Sequence, residues 1–180
     1  MQHYYNFKVS KNQISFEPYW HHKSYLLLNF ILGIIVLVIG ITITYLIDLK
    51  GGLICSILIS TAIFLNSIYR GTIQNKTILL FDKTENAFYK ITPLAKKKIS
   101  ALNSILGITT KSGSFHFNYI LILKNKTSIK KIHLTDDIKI ENQNNPEVRF
   151  LEMEIIPQLE SFLNLKKEAL IIFDSELINI

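Results

Sequence analysis

Two kinds of hydrophobic pattern divide this chain. Residues 24–47 carry no charged side chain and neither do residues 51–69, so apolar runs of 24 and 19 residues stand almost back to back. As helices rising about 1.5 Å per residue, the runs would reach about 36 and 28 Å, against a hydrocarbon core of about 30 Å. Each is long enough to span a membrane. Only Asp48-Leu49-Lys50 and Gly51-Gly52 lie between them, a link that predicts a tight turn and therefore an antiparallel helical hairpin. A soluble domain of this size has no shell with which to cover two such helices. A cleaved signal peptide fits poorly, because the first run begins after 23 residues and exceeds an h-region of about 7–15.

Beyond Arg70 the period shortens. Residues 77–82, 87–92, 99–101, 104–110, 115–123 and 127–134 read as six short strands. The turns between them include Lys83-Thr84-Glu85-Asn86, Ser112-Gly113-Ser114 and Lys124-Asn125-Lys126. Short connections imply one antiparallel sheet, curled or closed as a barrel to bury a face. The period then lengthens again. Val148, Leu151, Ile155, Leu159, Phe162 and Leu163 form a helical stripe that opens near Asn145-Pro146-Glu147 and is expected to kink or divide at Pro157. In the head, Tyr5, Phe7, Val9, Ile14 and Phe16 alternate as in a strand hairpin that is open to joining the sheet. The fold class expected is thus an α+β membrane protein, divided into a head (1–23), a transmembrane hairpin (24–69), a sheet-and-helix domain (70–165) and a tail or extra strand (166–180).

The flanks of the hairpin predict its orientation. Lys8, Lys11, Lys23, Arg70 and Lys76 lie on the terminal side, whereas the link holds one Lys and one Asp, so both termini are expected in the cytoplasm of a multi-pass inner-membrane protein. Aromatic residues at Tyr19, Trp20, Tyr25, Tyr45 and Tyr69 mark the same boundaries. No Asp, Glu, Lys, Arg or His lies within the runs, which argues against a pump or transporter. Gly33 and Gly40 on the first helix, and Gly52, Ser56 and Ser60 on the second, form faces that let helix backbones approach closely. These faces suit packing of the hairpin on itself or a self-association interface.

Charge changes the picture in one place. Residues 70–139 hold 13 basic and 4 acidic side chains, a net of +9, and residues 140–180 hold 3 and 8, a net of −5. Lys96, Lys97, Lys98, Lys124, Lys126, Lys130 and Lys131 fall in or beside the expected turns, a candidate surface for anionic lipid headgroups or a protein partner. Lysines that block sheet edges are the plainer explanation. Nucleic acid is not expected as a partner, since no aromatic stacking platform accompanies the charge.

Candidate chemistry is sparse. Cys55 is the sole cysteine and lies in an apolar run, which removes intramolecular disulfides and cysteine-built zinc sites. A turn at Lys124–Lys126 would set His116 opposite His133, but two ligands without a third make no metal centre. Asp82, Glu85, Asp136 and Asp137 read as solvated turn acids. No nucleophile motif or glycine-rich phosphate loop is present. No catalytic, metal or cofactor site is therefore expected, and the protein is read as a binding protein rather than an enzyme.

The stretch Phe81-Asp82 with Phe88-Tyr89-Lys90 after a short turn, the strand Tyr119-Ile120-Leu121-Ile122-Leu123 and the terminal helix, preceded by two membrane helices, resemble the bacterial pleckstrin-homology-like membrane proteins, in particular the small YcxB-like group. The resemblance covers most of residues 24–165 and is one of architecture rather than of strict motif. It implies a pleckstrin-like curled sheet or barrel capped by a C-terminal helix, working as a non-catalytic module that binds lipid headgroups, peptides or a protein. The alternative is a small membrane regulator or toxin-neutralising, immunity-type protein that recognises its partner through the hairpin.

Overall fold

Backbone hydrogen bonding decides how the apolar runs fold. In the computed structural model, which describes residues 4–19, 23–47, 50–124 and 128–165 (the side chains of 23–25 and 50 excepted), the chain forms two units. One is His21–Lys76; the other joins Met1–Trp20 to Thr77–Ile180.

In the first unit, helix α1 spans Lys23–Ile47 and helix α2 spans Lys50–Tyr69. Within them, Leu26–Ile47 and Gly51–Gln74 are long and apolar enough to cross a membrane. Both are rich in isoleucine, which favours strands in water, but a helix satisfies its amides within the segment. Four hydroxyls follow the same rule, although Ser60 Oγ is buried without a hydrogen-bond partner among the described residues. Thr42 donates to the Val38 carbonyl at 2.9 Å, Thr44 to Gly40 at 2.8 Å, Ser56 to Gly52 at 2.8 Å and Ser67 to Ile63 at 2.9 Å.

Small residues form the seam. A β-carbon on Gly40 would lie 1.8 Å from Ser56 Oγ, and one on Gly33 would lie 2.7 Å from Phe64 Cε1. As the chain advances from Gly33 to Gly40 its partner retreats from Phe64 to Ser56, so the helices run antiparallel. Gly51 and Gly52, expected in the turn, lie instead in the first turn of α2; Asp48 and Leu49 lie outside the described residues. Past Tyr69 the helix widens into a single π turn, Arg70–Gln74, with Asn75 N–H donating to the Arg70 carbonyl at 2.9 Å.

The second unit holds two antiparallel sheets. Strands β1 (Lys8–Val9), β2 (Gln13–Phe16), β3 (Ile78–Asp82), β4 (Ala87–Ile91) and β5 (Lys96–Ser100) pair in chain order. The head therefore belongs to this sheet, with Ile14 opposite Phe81 and Phe16 opposite Leu79. Its first residues depart from the expected strand: Tyr4–Asn6 is a 3-10 turn in which Tyr5 and Asn6 take φ of 57° and 46°. Strands β6 (Ile105–Ser112), β7 (His116–Lys124) and β8 (Ile129–His133) form the other sheet, with β9 (Ile138–Lys139), which the sequence reading missed, also on β7.

A single curled or closed sheet was expected; among the described residues neither sheet closes. The break falls at the 3-10 turn Leu102–Ser104. There the Asn86 side-chain oxygen accepts the Leu102 and Asn103 N–H groups at 3.1 and 3.3 Å, which ends β5 and redirects the chain into β6.

Alternation on the first sheet sends Phe16, Phe81 and Phe88 to one face, where Phe81 stacks on Phe88 at 4.5 Å and on Phe16 at 6.4 Å. These rings share a core with Leu121 and Leu134 and with Leu151, Ile155 and Leu159 of the terminal helical stretch. Each such side chain contributes about 1.5–3 kcal/mol by leaving water. The helical stretch is divided as Pro157 requires: helix α3 (Pro146–Phe150), a π turn (Leu151–Ile155) and helix α4 (Ile156–Leu163). Proline has no N–H for an ordinary helical bond, and the widened turn before it accommodates the loss. Asn164, left-handed at φ 54°, ends α4, and Leu165 N–H donates back to Glu160 at 3.0 Å. Residues 166–180 lie outside the described residues.

Candidate functional site

The lysines fall into two groups on two different sheets. Lys96, Lys97 and Lys98 were expected in or beside a turn; they form most of β5, the last strand of the five-stranded sheet. Pairing with β4 imposes this, because Ile91 stands opposite Lys96, Lys90 opposite Lys97 and Tyr89 opposite Lys98. Lys130 and Lys131 lie in β8, at the edge of the other sheet, and Lys124 ends β7 opposite Ile129. Lys126 lies outside the described residues.

Register also sets what accompanies these charges. Lys8, Ser15, Leu80, Tyr89 and Lys98 fall in one row across the five strands. This row has a lysine at each edge and an apolar centre, with Lys96 on the neighbouring row of the same face. Its Nζ lies 4.1 Å above the Tyr89 ring and 4.0 Å from Glu85 Oε2. The Tyr89 hydroxyl donates to the same carboxylate, which raises the phenol above its ordinary range. Lys96 is thus partly neutralised, whereas Lys90 and Lys97, side by side on the opposite face, make no ion pair among the described residues. Lys90 instead lies 6.0 Å from the Tyr19 ring centre.

Strands β4 and β5 are joined by a tight turn. Thr92 N–H donates to the Ala95 carbonyl at 2.9 Å and Ala95 N–H to Thr92 at 3.3 Å, leaving only Pro93 and Leu94 between them. The Thr92 hydroxyl adds a bond to the Ala95 carbonyl at 3.2 Å. Proline's fixed φ suits the first position of such a turn. Leu94 projects from it at 79% exposure, more than any other large hydrophobic of the sheet unit among the described residues.

The acidic residues require correction too. Asp82, read as a solvated turn acid, is buried at the end of β3. It accepts Gln13 Nε2 at 2.7 Å and the N–H groups of Thr84 and Glu85 at 2.8 and 3.2 Å. Burial pushes its carboxyl up, but these bonds and the Lys96 charge outweigh it and hold the group below its ordinary value. This is a structural staple between the head and β3. Asp137 accepts Asn118 Nδ2 at 2.5 Å. Tyr119 and Tyr5 form a further buried polar cluster that sequence reasoning missed. Tyr119 donates to Glu152 Oε1 at 2.6 Å, tying the π turn to β7. Burial, with that bond and the Glu152 charge, raises the Tyr119 hydroxyl, and burial with the charges of Glu147 and Glu152 raises Tyr5.

His116 and His133 are not brought together. Ile120 stands opposite His133 and Lys139 opposite His116, because the β7–β8 connection is longer than a turn at Lys124–Lys126 implies. His116 lines an open cavity of about 430 Å³ with Phe115, Lys139, Ile140 and Glu141. Among the described residues no group of three or more His, Cys, Asp or Glu could hold a metal ion.

The small residues of the hairpin lie along its seam: Gly33 faces Phe64, Gly40 faces Ser56, and Ser60 is buried, while Gly52 is half-buried. No protein-family model matches this chain, and neither does any curated protein or solved structure.

Proposed function

We propose that this is a non-catalytic inner-membrane protein whose hairpin anchors a pleckstrin-like module at the cytoplasmic leaflet, where its basic strands engage anionic lipid headgroups. The observation that carries the anchor is where the large apolar side chains lie. Among the described residues, 22 of the 28 exposed large hydrophobics belong to α1 and α2, and only 6% and 11% of their most apolar windows are buried. In water such a surface would drive association; in a bilayer it meets its natural solvent. Lys8, Lys11, Lys23, Arg70 and Lys76 favour cytoplasmic termini.

The basic strands supply the rest. A cytoplasmic leaflet is commonly anionic, and each lysine near it contributes about 1 kcal/mol. The row Lys8–Leu80–Tyr89–Lys98, with Lys90 and Lys97 behind it, offers charge beside apolar surface. The alternative, in which the hairpin recognises a partner, would have to use its outer apolar surface, since Gly33 and Gly40 face Phe64 and Ser56 along its own seam.

The test is headgroup-dependent association of phosphatidylglycerol vesicles with the full chain held in phosphatidylcholine nanodiscs. Selective association that persists at physiological salt is the expected result. Association lost with salt, or equal for neutral vesicles, would sink the headgroup reading and redirect the search to a protein partner.

A further inference from the structure

We propose that the β4–β5 turn is a wedge that enters the headgroup region of an anionic bilayer, with Leu94 as the inserting side chain and Lys90 and Lys97 as its charged flanks. This rests on the anchor argued above and names the part of the module that meets lipid.

Three observations converge on this turn. Leu94 is an aliphatic side chain held out at 79% exposure by a short turn closed on both sides by backbone hydrogen bonds, so little order is lost on insertion. Lys97 and Lys90 pair across the strands just behind it and make no ion pair among the described residues, so no carboxylate there competes with phosphate for them. Register then identifies the end of the sheet involved. Phe16 stands opposite Leu79, Ile78 opposite Ile91, and Ile91 opposite Lys96. Phe16 ends the strand from which the chain continues toward α1, and Ile78 begins the strand on which it returns from α2. The wedge and both tethers therefore share one end of one sheet.

The exposed ring of Phe115 lacks this combination. Phe115 is 77% exposed in the β6–β7 connection, but it belongs to the other sheet. Lys139, which lines the same cavity, is paired with Glu141 at 3.2 Å.

The experiment places a single tryptophan in the full chain on a Trp20→Phe background, at Leu94→Trp, Phe115→Trp or Val38→Trp. Fluorescence quenching is read in nanodiscs carrying lipids brominated either near the headgroup or deep in the chain. The discs are phosphatidylcholine alone or with an equal part of phosphatidylglycerol. Leu94→Trp should be quenched by the shallow bromines several-fold more strongly than Phe115→Trp. The difference should be larger in anionic discs and should shrink when Lys90→Glu and Lys97→Glu are added. Val38→Trp, at the middle of α1, should be quenched by the deep bromines in both lipids. Quenching at Val38 without quenching at Leu94, or stronger quenching at Phe115, would overturn the wedge and leave the anchor standing. No quenching at Val38 would overturn the anchor, and the wedge with it.

Discussion

On the membrane reading proposed above, the two units face opposite solvent problems. In the hairpin, small residues line the seam and most large apolar side chains lie outside, and the hydroxyls of Thr42, Thr44, Ser56 and Ser67 turn back on their own helix. In the sheet unit, Phe16, Phe81 and Phe88 lie inside and lysines cover the edges. Removing water from contact drives the second arrangement. That force is absent between helices in hydrocarbon, where close packing of small residues takes its place. The comparison teaches that size works in reverse: the sheet unit is most sensitive to losing volume, the hairpin to gaining it.

The largest expected effect tests the first half. Phe88→Ala removes a ring that is fully buried and stacked on Phe81 at 4.5 Å. It should cost about 3–5 kcal/mol, read as a fall in the denaturant midpoint of the sheet unit in the full chain. A loss below about 1 kcal/mol would mean the core is not packed as described. Gly40→Leu makes the reverse change in the hairpin. Its first added carbon already overlaps Ser56 Oγ at 1.8 Å, and overpacking costs about 1–3 kcal/mol. Crosslinking between cysteines placed at positions 36 and 60 should fall in this variant, whereas Gly51→Leu, where nothing lies within 4 Å, should leave it intact.

These residues also mark what was legible in the sequence. The hairpin was readable because absence of charge over a long run is a one-dimensional signal, and the Gly–Ser spacing pointed to its seam. The core strands were readable from alternation, and Pro157 announced a break, although not that the break would be a π turn. Only the end of strand β5, at Ile99 and Ser100, was readable, because Lys-Lys-Lys has neither alternation nor strand propensity and is extended only through its pairing with β4. Nor was Asp82: its burial depends on Gln13, a partner 69 residues away. The His116–His133 pairing failed for a related reason, since register depends on a connection whose length local pattern does not set.

Asp82 sharpens the contrast at intermediate size, since it is a buried carboxylate of the sheet unit, whereas residues 24–47 and 51–69 hold no charged side chain. Its carboxyl lies below its ordinary value, so the native state favours the ionised form. The stabilisation is complete above the unfolded value near about 3.9 and is lost as pH falls through the folded value. Asp82→Asn should cost about 1–2 kcal/mol at neutral pH, and the difference from the parent should narrow as pH drops below about 4. Urea midpoints of both proteins across this range check it; a gap independent of pH would make the effect steric rather than electrostatic.

The smallest effect separates the two basic edges. Lys97→Gln removes one unpaired charge beside the β4–β5 turn and should weaken association with phosphatidylglycerol vesicles by about 1 kcal/mol, roughly five-fold, at low salt. Lys130→Gln removes a charge of the same kind from β8, an edge strand of the other sheet. If β8 lysines serve only to prevent edge-to-edge pairing, this variant should bind vesicles as the parent does while aggregating sooner at high concentration. Light scattering and vesicle co-sedimentation on the same samples read both properties. Equal losses of binding at Lys97 and Lys130 would show that the lipid responds to the net charge of the whole unit, not to one end of one sheet.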